Sequence, residues 1–163
     1  METDMKSLNA TRKITVSGMV MALYIVLMYL TQSFAFGQYQ VRIATALYAL
    51  SYLFPFLVLP LGLSNLLANM LMGGLGFFDI VGGGLVGLMT AGCCALLGRR
   101  HRSAWWTALP IALIPALGVA CWLAPLLNVP YLALAASLLV GQTISGIVGA
   151  ALTRALARIG KMD

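Results

Sequence analysis

The sequence predicts an all-α membrane protein, a single domain built as a bundle of six transmembrane helices. Hydrophobic residues make up 61% of the 163 and charged residues only 9%, with a mean hydropathy of +0.97. Soluble domains carry ~25% charged residues to cover their surface, and disorder needs low hydrophobicity and high net charge, so both classes are excluded. The apolar residues fall into runs close to the ~20 that a ~30 Å hydrocarbon core requires. The basic residues, ten against four acids for a net +6, stand almost entirely in the breaks between runs.

Residues 1–13 are polar and hold Lys6, Arg12 and Lys13. The first apolar segment is about 14–34; it exceeds the ~7–15 residues of a signal-peptide core and shows no small-residue cleavage site before Phe34, so it reads as a retained helix. Residues 35–42 form a more polar loop. Segment two, about 43–60, contains Pro55 and Pro60, and segment three, about 61–75, is short. The turn between them is expected near Pro60-Leu61-Gly62 and carries no charge, which implies two short or broken helices. Segment four is about 79–98. The polar break 99–104 holds Arg99, Arg100, His101 and Arg102. Segment five, about 105–127, opens on Trp105 and Trp106, where an interfacial aromatic belt would sit. Pro110, Pro115 and Pro125 are expected to kink or end it. After the turn Asn128-Val129-Pro130, segment six runs over about 131–158.

Six crossings place both termini on one side. The positive-inside rule puts residues 1–13, the 99–104 break and the basic end (Arg154, Arg158, Lys161) in the cytoplasm; the chain is expected to be a multi-pass protein of the plasma membrane. Arg42 and Asp79 then lie at the outer face. The glycosylation pattern Asn9-Ala10-Thr11 falls in the cytosol and is discounted.

Several function classes drop out. No P-loop, HExxH, GxSxG or paired catalytic carboxylates occur, so no catalytic residue is assigned and an enzyme is not expected. Gly82, Gly84 and Gly87 match G-x-G-x-x-G without the preceding strand that the motif needs; Gly83 and Gly87 read better as close-packing positions. Cys93, Cys94 and Cys121 lie in apolar stretches, and no Cys/His cluster has metal spacing, so neither metal nor cofactor is expected. Basic residues do not interleave with aromatics, which argues against nucleic acid. Small residues recur every fourth position at Ala133, Ser137, Gly141, Ser145 and Gly149, and again at Gly18 and Ala22. Such stripes allow close helix approach, within the bundle or against a partner membrane protein.

The polar residues in or beside apolar runs are Arg42, Thr45, Asn65, Asn69, Asp79, Gln142 and Thr143. Ionisable groups at membrane depth are costly and often mark a solute path. Asp79, the one acid between Asp4 and Asp163, reads as a helix N-cap, as an ion-pair partner of Arg42, or as a carboxylate that accepts from a bound solute. Arg42 reads as an interfacial anchor or a binding-site cation. Asn69 must face the bundle, to bond a neighbouring helix or to line a cavity, and Gln142 has the same two roles open.

The stretch Phe36-Gly37-Gln38-Tyr39-Gln40-Val41-Arg42-Ile43-Ala44-Thr45-Ala46-Leu47, with Asn65-Leu66-Leu67-Ala68-Asn69, Gly76-Phe77-Phe78-Asp79-Ile80-Val81-Gly82-Gly83 and Gly141-Gln142, resembles the QueT family across nearly the whole chain. Its members are S-components of energy-coupling factor (ECF) transporters linked to uptake of queuosine precursors. The family pattern reads R-I-S-E-A-L, A-N, D-I-V-x-G and G-E. Arg42, Ile43, Ala46, Leu47, Asn69, Asp79, Ile80, Val81, Gly83 and Gly141 fit it. Thr45 and Gln142 stand where the family has glutamates, and each replaces an acceptor with a group that also donates.

The resemblance implies a six-helix bundle of ECF S-component type that takes up a small vitamin-like solute, a queuosine precursor (a 7-deazaguanine) or a related, more acceptor-rich heterocycle. It implies binding by Arg42, Thr45, Asn69, Asp79 and Gln142, with Tyr39, Tyr48 or Phe36 stacking on a planar ligand. It further implies docking through Gly18 and Ala22 on a transmembrane coupling subunit served by two cytoplasmic ATPase subunits. Two other readings of the residues are a non-transporting scaffold, in which the polar residues are helix glue, and a self-sufficient channel or secondary carrier, for which no inverted repeat is visible.

Overall fold

The computed structural model describes residues 9–35, 41–72 and 76–159, without the Phe34 side chain, and among them every regular element is helical. Helix α1 is Ala10–Leu30, so it begins at Ala10 rather than Ile14 and carries Arg12 and Lys13 in its first turn. A short helical turn, Gln32–Ala35, follows. A 3₁₀ helix, Ile43–Tyr52, comes next, then a 3₁₀ turn, Pro55–Leu57, and α2, Val58–Leu71. Helix α3 is Phe77–Arg99. The 3₁₀ turn Ala104–Thr107 leads into α4, Ala108–Leu127, and α5 is Tyr131–Ile159.

Four stretches are long and apolar enough to cross a membrane: Ala10–Leu30, Phe77–Arg99, Ala104–Leu127 and Tyr131–Ile159. Ile43–Tyr52 and Pro55–Leu71 are shorter apolar helices. The break between these two lies at Leu53–Phe54, earlier than the Pro60-Leu61-Gly62 turn expected from the sequence. The reason is local. Pro55 forces the residue before it out of the helical region, and Phe54 is extended at φ −126° and ψ 80°. Pro60 instead sits in the first turn of α2, where its missing N–H breaks no intrahelical bond. Likewise, Pro115 and Pro125 lie inside α4, which ends only at Asn128 in the left-handed conformation (φ 54°).

The 3₁₀ helix is the centre of the bundle. Ala44 through Ser51 are all buried, the pattern of an element surrounded on every side. It packs on α1, α3 and α5, while α2–α3 and α4–α5 form the closest helix pairs. Glycines let α5 approach: a Cβ on Gly149 would lie 2.6 Å from the Ala46 carbonyl oxygen, and one on Gly146 would lie 2.7 Å from that of Ala108. The small-residue stripe of α5 is therefore used inside the bundle at Gly141, Ser145 and Gly149, whereas Ala133 is exposed.

The two ends of the bundle differ. Arg154 stands 5.7 Å from the centre of the Trp105 ring, and the Tyr52 hydroxyl donates to the Arg102 carbonyl. The basic break 99–102, the end of α5 and the end of the 3₁₀ helix thus share one end. Arg42 precedes the 3₁₀ helix, whose ten residues at ~2 Å each put it ~20 Å away, at the other end. Around the outside, Ile14, Leu59, Met70, Leu85, Met89, Leu132 and Ile147 are among many large apolar side chains left exposed. Water would oppose so continuous an apolar surface; lipid favours it.

Candidate solute-binding site

The polar residues of the runs converge at the end opposite the basic cluster. Arg42 and Asp79 are each 3% exposed, Gln142 and Thr45 2%, and Asn69 0%. A buried charge is tolerated only where polar partners replace water, and here four elements supply them.

Helices α2 and α3 form an antiparallel pair whose polar positions are in register. Asn65 and Asn69 are one turn apart on α2, and Asp79 and Gly83 are one turn apart on α3. The Asn69 side-chain amide donates to the Asp79 carbonyl (3.0 Å) and that of Asn65 to the Gly83 carbonyl (2.7 Å). The other face of each amide, its Oδ1, accepts from Nη1 of Arg42, at 3.3 Å from Asn69 and 3.4 Å from Asn65. Nε of Arg42 reaches the Ala35 carbonyl at 3.4 Å. Each asparagine thus bridges the guanidinium to the backbone of α3. Gly83 makes the bridge sterically possible, because a Cβ there would fall on Asn69 Nδ2. Gly87, one turn on, would meet Gly62 Cα at 3.3 Å, so the close-packing reading of Gly83 and Gly87 holds.

Asp79 is not the helix N-cap. That position belongs to Gly76, at φ 98°, a conformation glycine adopts without steric cost. Asp79 lies in the first turn, where the helix dipole favours a carboxylate, and its Oδ1 accepts from Nε1 of Trp122 at 3.1 Å. The indole lies over Gly82, where a Cβ would approach its ring to 2.9 Å.

On the opposite side, the Thr45 hydroxyl lies 3.0 Å from Oε1 of Gln142 and 2.6 Å from the Arg42 carbonyl. The Ser145 hydroxyl also donates to the Arg42 carbonyl, at 2.9 Å. Thr45 and Gln142 are therefore direct neighbours, from the 3₁₀ helix and α5. Below them, the Tyr24 and Tyr48 hydroxyls are 3.1 Å apart and both rings are fully buried.

Five of the six residues singled out for solute binding (Arg42, Thr45, Asn69, Asp79 and Gln142) meet in this cluster; Tyr39 and Phe36 lie outside the described residues. Arg42 is no interfacial anchor, since an anchor would reach the surface. Tyr48 offers no stacking face, being packed against Tyr24 with ring centres 5.8 Å apart. Thr143 is exposed and bonds back to the Leu139 carbonyl of its own helix. Three residues went unassigned to the site in the sequence. Asn65 was visible as one turn from Asn69. Ser145 read only as part of the small-residue stripe, and Trp122 gave no signal. Gly18 and Ala22 lie on the exposed face of α1, and among the described residues nothing beyond the local helix lies within 4 Å of where a Gly18 Cβ would be.

Apolar helices long enough to cross a bilayer, an apolar exterior and a charged cluster buried at one end define a multi-pass membrane protein. The particular family follows from a family model described as QueT transporter, which matches residues 14–158. The chain belongs to that family: it is a membrane transport protein, and the family implies an S-component of an ECF-type transporter with a small-molecule substrate. No curated protein and no solved structure matches the chain.

Proposed function

We propose that the chain is the substrate-binding component of an ECF-type importer for a queuosine precursor, a 7-deazaguanine, or a related planar heterocycle. The observation that carries the reading is the convergence of Arg42, Thr45, Asn69, Asp79 and Gln142, from four elements, at one buried site. Asp79 accepts from the N–H groups of the solute, Arg42 and Asn69 donate to its carbonyl, and the neutral Thr45–Gln142 pair presents both a donor and an acceptor to its far edge. Tyr39, three residues before Arg42 in the sequence, stacks on the ring.

Six crossings complete the proposal. The 3₁₀ helix, ~20 Å long at ~2 Å per residue, and Pro55–Leu71 supply the two short ones. Both termini and the basic end then face the cytoplasm, with the site at the outer face. The exposed α1 face at Gly18 and Ala22 docks on the transmembrane coupling subunit, and two ATPase subunits drive release.

The test is thermal stability of the purified chain against purines, 7-deazapurines and vitamins. A ligand that binds only the folded state adds about 2.7 kcal/mol at 100 times its Kd. A 7-deazaguanine is expected to stabilise the wild type and not Asp79→Ala or Asn69→Ala. Equal stabilisation of wild type and both variants would refute the site.

A further inference from the structure

At the basic end, far from the polar cluster, α3 and α4 part to leave an apolar groove of about 370 Å³. Its floor is made by half-buried Cys93 and Leu97 of α3 and Ile114 of α4, and its mouth by Arg100 and Trp106. Arg100 is exposed, Trp106 is 52% exposed, and Arg99 and Arg102 flank them.

Three features of the groove point to one occupant. Its lining on α3 runs from Cys93 to Arg100, seven residues or ~10 Å, less than one leaflet of a ~30 Å hydrocarbon core. Its wall is apolar throughout its length, and Arg100 alone brings charge, at the end where the helices leave the bilayer. Trp106 beside it is an amphipathic ring of the kind that settles at headgroup level. An apolar slot of single-leaflet depth with a guanidinium in its lining is complementary to a lipid with an acyl chain and an anionic headgroup. Helix α1, with its exposed Gly18 and Ala22, packs on α2 and the 3₁₀ helix instead, so the groove occupies a different flank.

We propose that the α3–α4 groove is a binding site for an anionic phospholipid, with one acyl chain along Cys93, Leu97 and Ile114 and the phosphate on Arg100. The basic end is then not merely a topological signal; one of its arginines holds a specific lipid.

The chain carries its own reporter. Cys93 lies in the groove, whereas Cys121 is exposed on α4 and outside the groove lining. Purified chain in neutral detergent is mixed with dioleoyl phosphatidylglycerol or dioleoyl phosphatidylcholine, and retained lipid is counted by native mass spectrometry. N-ethylmaleimide labelling of Cys93 and Cys121 is read on peptides from the same samples. The expected result is phosphatidylglycerol retained about fivefold over phosphatidylcholine, the worth of one interfacial arginine, with labelling slowed at Cys93 and unchanged at Cys121. Arg100→Gln should abolish both effects, and Arg158→Gln, an exposed arginine on α5, neither. Equal retention of the two lipids would overturn the proposal. So would equal losses in the two arginine variants, which would mean diffuse charge attraction, or retention without protection of Cys93, which would place the lipid outside the groove.

Discussion

Gly83→Ala adds one methyl group and removes nothing, yet it should dismantle the centre of the polar cluster. The added Cβ would fall on the Asn69 side-chain nitrogen, so Asn69 must swing away. It then loses its bond to the Asp79 carbonyl at 3.0 Å and its contact with Arg42 at 3.3 Å. One neutral hydrogen bond is worth ~1 kcal/mol and one to a charged group ~1.5–3 kcal/mol, so the loss is about 2–4 kcal/mol, less whatever a shifted Asn69 recovers. Asn69→Ala removes the same two bonds and should cost about the same. It also vacates the volume that the new methyl needs, so Gly83→Ala/Asn69→Ala should be no less stable than Asn69→Ala alone. The coupling energy of the cycle should thus approach the whole cost of Gly83→Ala, about 2–4 kcal/mol. Unfolding of the purified variants in mixed micelles, followed by circular dichroism against denaturing detergent, measures it. Costs that add within about 0.5 kcal/mol, as for independent sites, would refute the bridge of Asn69 between Arg42 and α3.

Three further outcomes follow from the same contacts. Trp122→Phe keeps most of the ring over Gly82 but removes the N–H bonded to Asp79, so it should cost about 1.5–3 kcal/mol in the same unfolding assay, whereas Trp105→Phe should cost little. Gly149→Ala drives a methyl against the Ala46 backbone and should cost at least the ~1–3 kcal/mol of ordinary overpacking. Gly18→Ala, with open space around it, should leave the isolated chain as stable as wild type. Tyr48→Phe should destabilise by stranding the buried Tyr24 hydroxyl, and Tyr24→Phe should cost less, since the Tyr48 hydroxyl keeps its bond with Asn65. The double variant should be less harmful than the sum of the two, since removing both partners of a buried hydrogen bond can be nearly neutral.

What the sequence disclosed and what it hid divide along physical lines. Composition and run length suffice for an all-helical membrane chain, because the bilayer imposes both. The polar cluster was legible for a related reason: Arg42, Asn69, Asp79 and Gln142 are anomalous in apolar runs, and such anomalies persist only where partners meet them. Trp122 carries no such flag, since an apolar helix accommodates an indole anywhere; only its N–H pointing at Asp79 makes it special, and that is a matter of rotation about α4. The break between the short helices was misplaced for lack of a position effect. Pro55 and Pro60 look alike in sequence, but one follows an extended residue and the other sits in a first turn that tolerates it. Nor did any residue pattern announce a ten-residue 3₁₀ helix, far longer than the usual three or four residues.

That 3₁₀ helix links the packing of the bundle to its site. It is thinner and longer per residue than an α-helix, so ten residues reach ~20 Å through a centre where Gly149 brings backbone against backbone. Its first carbonyl, that of Arg42, collects the Thr45 amide and the Thr45 and Ser145 hydroxyls, while the Arg42 side chain turns the other way to Asn65 and Asn69. One residue therefore ties α5 through its backbone and α2 through its guanidinium, and the asparagines pass the tie on to α3. A 3₁₀ helix has poorer hydrogen-bond geometry than an α-helix, and such stretches often mark hinges. Among the described residues, the 3₁₀ helix that Arg42 precedes packs on α1, α3 and α5. The exposed docking face proposed for α1 lies on the back of the same helix that buries Tyr24 against Tyr48 of the 3₁₀ helix, so one helix joins the proposed docking face to the element that opens at Arg42.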